Sequence, residues 1–134
     1  TRFLENRLIH RTERGDLVQS KSELVIADKL FARGIEYTYN QRLELGNGRV
    51  RYPDFVIADH ARGVTFYWEH LGLLDDPGYR RRWQRKLQEY KECGILRWQD
   101  GGGEHGTLVT THDDPGGALD AAAIAKVIDE VILG

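Results

Sequence analysis

The periodicity of the chain predicts an α/β domain in which helices flank a mixed central sheet, in the order helix, three strands, helix, strand and a further C-terminal helix. Three observations lead there. Apolar stripes at helical spacing begin at Ser20, Asp76 and Ala118. Three runs of strand character, Glu36–Leu45, Arg51–Ile57 and Val64–His70, lie between the first two helices and are separated by short turns, which makes them antiparallel neighbours. The second helix then carries the chain back to the β-branched run Thr107–Thr111, a crossover expected to be parallel and right-handed.

Taken in order, residues 1–19 contain Arg2, Arg7, Arg11 and Arg14, a Gly15-Asp16 turn signal, and Phe3, Leu4, Leu8 and Ile9 at helical spacing. They are expected to form a short helix or arm leading in from a preceding domain. The first helix spans Ser20–Arg33 and stops at Gly34. Ser20 with Glu23 three residues later forms a capping box, and on a wheel Glu23 also falls inside the apolar stripe of Leu24, Ile26, Ala27, Leu30 and Phe31. Capping alone, and capping combined with a place in a site, both remain open for Glu23. Glu36–Leu45 alternates as a strand and ends in the hairpin turn Gly46-Asn47-Gly48. Asp76-Pro77 opens a helix that runs to Cys93 and stops at Gly94. Ile95–Trp98 reads as a brief strand and Asp100–Gly103 as a loop. His112–Gly117, including His112-Asp113-Asp114, reads as a turn and helix cap. Ala118–Leu133 is amphipathic, with Leu119, Ile124, Val127, Ile128 and Val131 inward.

At 134 residues the chain is one domain by length, and 40% hydrophobic residues suffice for a core. The sequence contains no Met and begins at Thr1, so it is expected to be a segment of a longer polypeptide. No apolar run approaches the ~20 residues needed to span a bilayer. Cys93 is the only cysteine, which excludes an intrachain disulfide and fits a reducing, cytoplasmic setting. His10, His60, His70, His105 and His112 are too scattered to form a zinc-ligand spacing with it.

The middle of the chain carries the chemistry. Arg51–Ile57 and Val64–His70 each hold one carboxylate in apolar and aromatic surroundings, and the intervening Asp59–Gly63 has turn composition. With the turn at residues 60–63, Asp59 pairs with Val64 and Asp54 falls opposite Glu69. Cross-strand neighbours share a face at about 4.5–5.5 Å between Cβ atoms, and like charges there are destabilising. A divalent cation offsets that cost, since Mg²⁺ takes hard oxygen ligands and is typically held by one or two carboxylates.

The net charge of −2 argues against a protein that coats nucleic acid, but the charge is unevenly distributed. Between Tyr79 and Glu92 six basic residues, Arg80, Arg81, Arg82, Arg85, Lys86 and Lys91, face two acidic ones, Glu89 and Glu92. Such a stripe is either a solvated helix face or a phosphate-contacting one. Tyr79, Trp83, Leu87 and Tyr90 form the apolar stripe of this helix. Lys86 lies roughly 20° from Tyr79 and 40° from Tyr90 on the wheel, aimed at the sheet, whereas Arg81 and Arg85 point to solvent. A lysine on a packed face needs an anion or must snorkel out.

Glu23 in the opening helix, Tyr52-Pro53-Asp54-Phe55, Trp68-Glu69-His70-Leu71-Gly72, and Lys86 with Tyr90 together resemble the PD-(D/E)XK nuclease superfamily, in particular the nuclease-like domains at the C-termini of bacterial superfamily 1 DNA helicases. The resemblance covers about residues 18–132 and is carried by this spacing as a set. It implies a restriction-endonuclease-like αβββαβ core across residues 20–134, with residues 1–19 as an arm or linker. One departure stands out: the pattern places a lysine two residues after Glu69, where this chain has Leu71. Some members move that cation to the next helix, the position of Lys86.

The resemblance implies Mg²⁺- or Mn²⁺-dependent hydrolysis of DNA phosphodiester bonds by a domain attached to a helicase or other ATPase. Asp54 and Glu69 would hold the metal, with the backbone carbonyl of His70 as a further ligand. Lys86 would orient or deprotonate the attacking water or stabilise the transition state. Glu23 would hold a metal-bound water or second ion, Tyr90 would position Lys86 or a phosphate, and Arg80, Arg81, Arg82 and Arg85 would contact the nucleic acid. The parity of His70 turns its side chain away from Glu69, towards a core or supporting role. The rival reading is a catalytically inactive nuclease fold that binds DNA or a partner protein for an attached motor.

Overall fold

The computed structural model describes residues 9–134. Its first helix starts at the capping box: extended Ser20 accepts the Glu23 N–H on its hydroxyl, and the Glu23 carboxylate accepts the Ser20 N–H. Two donors that the first turn leaves without helical partners are thereby satisfied. This helix, α1, runs Lys21–Ala32 and buries Ile26, Ala27 and Leu30. Gly34, at φ 69°, turns the chain out of it.

Of the expected N-terminal helix or arm, residues 10–18 form strands and a turn rather than helix. His10–Arg11 (β1) and Leu17–Val18 (β2) form an antiparallel hairpin, closed where the Gly15 N–H bonds to the Thr12 carbonyl. The hairpin buries Val18 completely and donates the Glu13 N–H to Asp28 of α1, while Ile9 of the supposed helical stripe stays exposed. Arg2, Phe3, Leu4, Arg7 and Leu8 lie outside the described residues.

Glu36–Leu45 also divides. Thr38–Tyr39 (β3) joins the main sheet, and Asn40 then adopts φ 59°, a left-handed conformation that asparagine tolerates better than most residues. This turns the chain out of the sheet, so that Leu43–Glu44 (β4) pairs with Val50–Arg51 (β5) in a separate two-stranded ribbon around Gly46-Asn47-Gly48. Phe55–Asp59 (β6) and Val64–Leu71 (β7) follow as an antiparallel pair. Their register is the expected one, with Asp59 opposite Val64 and Phe55 opposite Trp68.

Helix α2 spans Pro77–Glu92; the Asp76 carboxylate accepts the Gly78 N–H, and proline occupies the first turn, where its missing N–H costs nothing. Ile95–Arg97 (β8) and Gly106–His112 (β9) return parallel to β7, which completes a mixed five-stranded sheet of order β3-β6-β7-β9-β8. The last helix, α3, begins at Ala121 rather than Ala118 because Asp120 caps it by accepting the Ala123 N–H. After Val127 it widens into a π-helical turn, Ile128–Ile132.

The helices cover both faces of the sheet. On one, α1 and α3 pack Ile26, Leu30, Ile124 and Ile128 against Phe55, Phe66, Trp68 and Val109; on the other, α2 packs Trp83 and Tyr90 against Leu71, Leu108 and Ile95. Leu119 and Val127 are half-buried against the first core, and Val131 lies within it. Fully burying a side chain such as Leu30 or Leu108 is worth about 1.5–3 kcal/mol. Strand alternation fixes the rest: with Phe66 and Trp68 facing α1 and α3, Glu69 faces α2 and His70 faces α1. No helix among the described residues is long and apolar enough to cross a membrane.

Candidate functional site

Asp54 ends the bend that leads into β6, and the register extends to place it opposite Glu69. Its Oδ2 accepts the backbone N–H of His70 at 2.7 Å. Burial pushes the Asp54 carboxyl well above the ordinary carboxylate range, and the charges of Glu69 and then Glu23 push it further. The His70 N–H and Lys86 oppose that shift. Glu69 is buried, and its Oε2 accepts the Tyr90 hydroxyl at 2.7 Å and stands 3.2 Å from Lys86 Nζ. The inward lysine of the wheel therefore meets one of the two hairpin carboxylates. Tyr90 donates to the same Glu69 oxygen that Lys86 approaches. Its phenol, raised by burial and by the Glu69 charge, stays a neutral donor.

Glu23 caps α1 and lies near enough to Asp54 for its charge to act on it. Its Oε1 accepts the Gln19 and Ser20 N–H groups at 3.1 Å and the Tyr39 hydroxyl at 2.9 Å, while its charge contributes to raising Asp54. Tyr39 was not singled out by sequence, because its partner lies in a preceding helix and no local pattern links the two.

A groove of about 780 Å³ opens beside this cluster, with Glu69, Tyr79, Arg82, Arg85 and Lys86 on the sheet and α2 side and Asn47, Arg49 and Arg51 on the β4–β5 ribbon. Glu89 of α2 holds the ribbon in place: its carboxylate lies 2.8 Å from Arg51 Nε, accepts from Arg51 Nη2 at 3.0 Å, and lies 3.4 Å from Arg49. The Nη2 contact is a hydrogen bond and the Nε approach an ion pair without hydrogen-bond geometry, so this half-buried arginine–carboxylate pair holds the ribbon mainly by charge. Arg49 and Arg51 were missed by sequence, although two arginines at strand spacing directly after a hairpin turn were a usable signal.

The four arginines expected to contact nucleic acid separate. Arg82 and Arg85 line the groove, so Arg85 does not simply share the solvent direction of Arg81. Arg81 is exposed and is not part of the lining. Arg80 donates to the Leu74 carbonyl at 2.6 Å and fastens the loop before α2. Read as a nucleic-acid interface, the groove predicts that Arg82→Ala and Arg85→Ala weaken DNA binding and reduce the slope of log affinity against log salt by about one unit each. Arg81→Ala should change neither, as fluorescence anisotropy over a salt series would read.

The His70 side chain points away from this cluster and meets Thr111 and Asp113. His112–Gly117 makes the expected turn, with the Gly117 N–H on the Asp114 carbonyl, but Asp113 additionally reaches back to β7. Leu71, at the place of the missing lysine, is buried among the α2-side apolar residues. Among the described residues no three His, Cys, Asp or Glu side chains converge as a ready ligand set. The available hard donors are the Asp54 and Glu69 carboxylates with backbone oxygen, a set that fits a cation keeping several waters. The Asp54 carboxyl is raised first by its burial and then by the charges of Glu69 and Glu23.

Comparison with curated proteins finds the uncharacterized protein MJ1519 of Methanocaldococcus jannaschii, 34% identical over 97 residues. The match covers 69% of this chain and 8% of that protein, so the chain spans a small part of its relative's length. No protein-family model matches the chain, and no solved structure matches it.

Proposed function

We propose that this chain is a Mg²⁺- or Mn²⁺-dependent deoxyribonuclease domain with a restriction-endonuclease-like core, of the PD-(D/E)XK kind. The observation that carries this reading is the Asp54–Glu69 pair, with Lys86 at 3.2 Å from Glu69, where Glu69 and Lys86 line a groove together with Arg49, Arg51, Arg82 and Arg85. Asp54, Glu69 and the His70 carbonyl would hold the cation, which when bound neutralises charge developing on the scissile phosphate and makes water more acidic. Tyr90 fixes one Glu69 oxygen by donating to it. Lys86 presents an ammonium at the groove floor, where it meets a phosphate oxygen or exchanges a proton with the attacking water. Arg82 and Arg85 draw the strand along α2, and the Arg51–Glu89 contact keeps the opposite wall in place. A cytoplasmic setting and an attached helicase or ATPase accompany the proposal.

The second reading, a DNA-binding module without cleavage, is favoured by the burial of Leu71 where the pattern asks for lysine. Incubation with labelled linear, circular and single-stranded DNA in Mg²⁺, Mn²⁺, Ca²⁺ and EDTA separates the two. Cleavage confined to Mg²⁺ or Mn²⁺ is expected; metal-independent binding without any cleavage would leave the module.

A further inference from the structure

On the face of β7 opposite the acidic pair, a chain of hydrogen bonds joins three elements. The Trp68 indole N–H donates to Thr111 Oγ1 at 3.0 Å; Thr111 Oγ1 lies 2.8 Å from His70 Nδ1; His70 Nε2 lies 2.8 Å from Asp113 Oδ1; and Ser22 Oγ donates to the same oxygen at 3.1 Å. The His70 and Thr111 side chains are almost wholly enclosed. Both imidazole nitrogens are therefore occupied, which leaves the ring no rotational freedom without breaking a buried contact. One arrangement satisfies every group: Trp68 donates to Thr111, Thr111 donates to Nδ1, and Nε2–H and Ser22 both donate to Asp113.

The same residue donates its backbone N–H to Asp54 at 2.7 Å. The β7–β9 ladder, in which His70 pairs with Thr111, holds the His70 backbone, and the ring's contacts to Thr111 and Asp113 anchor its Cα from the other side, so that together they set the direction of that N–H. Ser22 neighbours Glu23, so the chain also ties the start of α1, which carries the third carboxylate, to the end of β7.

We infer that Thr111 and Asp113, acting through the His70 ring, are positioning residues that aim the His70 N–H at Asp54 and so orient its carboxylate for a divalent cation. This inference rests on the metal-site reading proposed above, and outer-shell partners of ligating groups typically contribute about 10–100-fold to metal affinity.

The test combines Mn²⁺ titration calorimetry with the amide proton shift of His70 in the metal-free protein. Thr111→Val, equal in shape but without the hydroxyl, is expected to move the His70 amide proton upfield as its bond to Asp54 lengthens, and to weaken Mn²⁺ binding about 10-fold. Thr111→Ser should restore both. Asp113 lies in a loop, so Asp113→Ala gives the same two readouts should Thr111→Val fail to fold, and Asp113→Asn, which keeps an acceptor oxygen, should return them towards wild type. Folded Thr111→Val or Asp113→Ala protein with an unmoved His70 amide and unchanged Mn²⁺ affinity overturns the positioning role while leaving the metal site standing. Wild-type protein that takes up no Mn²⁺ overturns both.

Discussion

Asp54→Asn is expected to abolish metal-dependent cleavage and, in metal-free buffer, to raise stability. The loss should exceed about 10³-fold, because metal stabilisation of the transition state is worth several kcal/mol and each 1.36 kcal/mol is about tenfold in rate. The gain has a separate origin. The substituted amide can still accept the His70 N–H, but it no longer places a like charge across from Glu69, a repulsion worth about 0.2–1 kcal/mol for a cross-strand pair. A rise in Tm of roughly 1–4 °C follows for a domain of this size.

The pH dependence has a definite sign. Asp54 holds its proton more tightly when folded than when unfolded, so its contribution to stability is fully present below the ordinary carboxylate value of 3.8 and is lost as pH rises through the raised folded value. Metal-free wild type should therefore lose stability across that window, and Asp54→Asn should flatten the loss. Added Mg²⁺ should restore more stability at the upper end, where it no longer competes with the proton. Glu69→Gln should also stop cleavage but without the stabilisation, because it breaks the ion pair with Lys86. Thermal melts of the three proteins over a pH series, with Mg²⁺ and with EDTA, read the stability outcomes, and single-turnover cleavage assays read the loss of activity. A wild type indifferent to millimolar Mg²⁺, together with an unstabilised Asp54→Asn, would remove the case for a metal site.

The features visible in the sequence were those with short-range causes. The Ser20–Glu23 box, the Asp76-Pro77 start of α2 and the register of β6 on β7 each depend on residues a few positions apart, or on a period of two whose slip would turn a whole face outward. The same locality explains the misses. Residues 10–18, within the expected helix or arm, instead form a hairpin that Thr12 and Gly15 close and that rests on α1, and that contact is tertiary. Glu36–Leu45 alternates throughout, and only the left-handed Asn40 divides it. In the site, the direction of Lys86 followed from its wheel position, whereas Arg85 reaches the groove because the β4–β5 ribbon rises beside α2 to form a second wall. Asp113 reads as a turn residue because its locality is a turn; its contact with His70 spans 43 positions.

Lys86→Ala is expected to slow single-turnover cleavage by about 10²–10⁴-fold, the usual contribution of a group that transfers a proton or offsets developing charge. Metal binding should be largely retained. Tyr90 still donates to Glu69, and the two electrostatic consequences oppose each other: losing the ammonium removes a cation that competes with the metal, and it also removes a charge that helps keep Asp54 ionised. Lys86→Arg would keep the charge but spread it over a planar group that does not deprotonate, so recovery by arginine favours charge stabilisation over proton transfer. Leu71→Lys in the alanine background places an ammonium on the Glu69 face of β7, where the pattern asks for one. It also puts a charge among Trp83, Leu108 and their neighbours, so partial rescue at the cost of stability is the expected outcome. Single-turnover cleavage at wild-type speed by Lys86→Ala would sink the assignment of Lys86 to the chemistry, even with Asp54 and Glu69 proved essential.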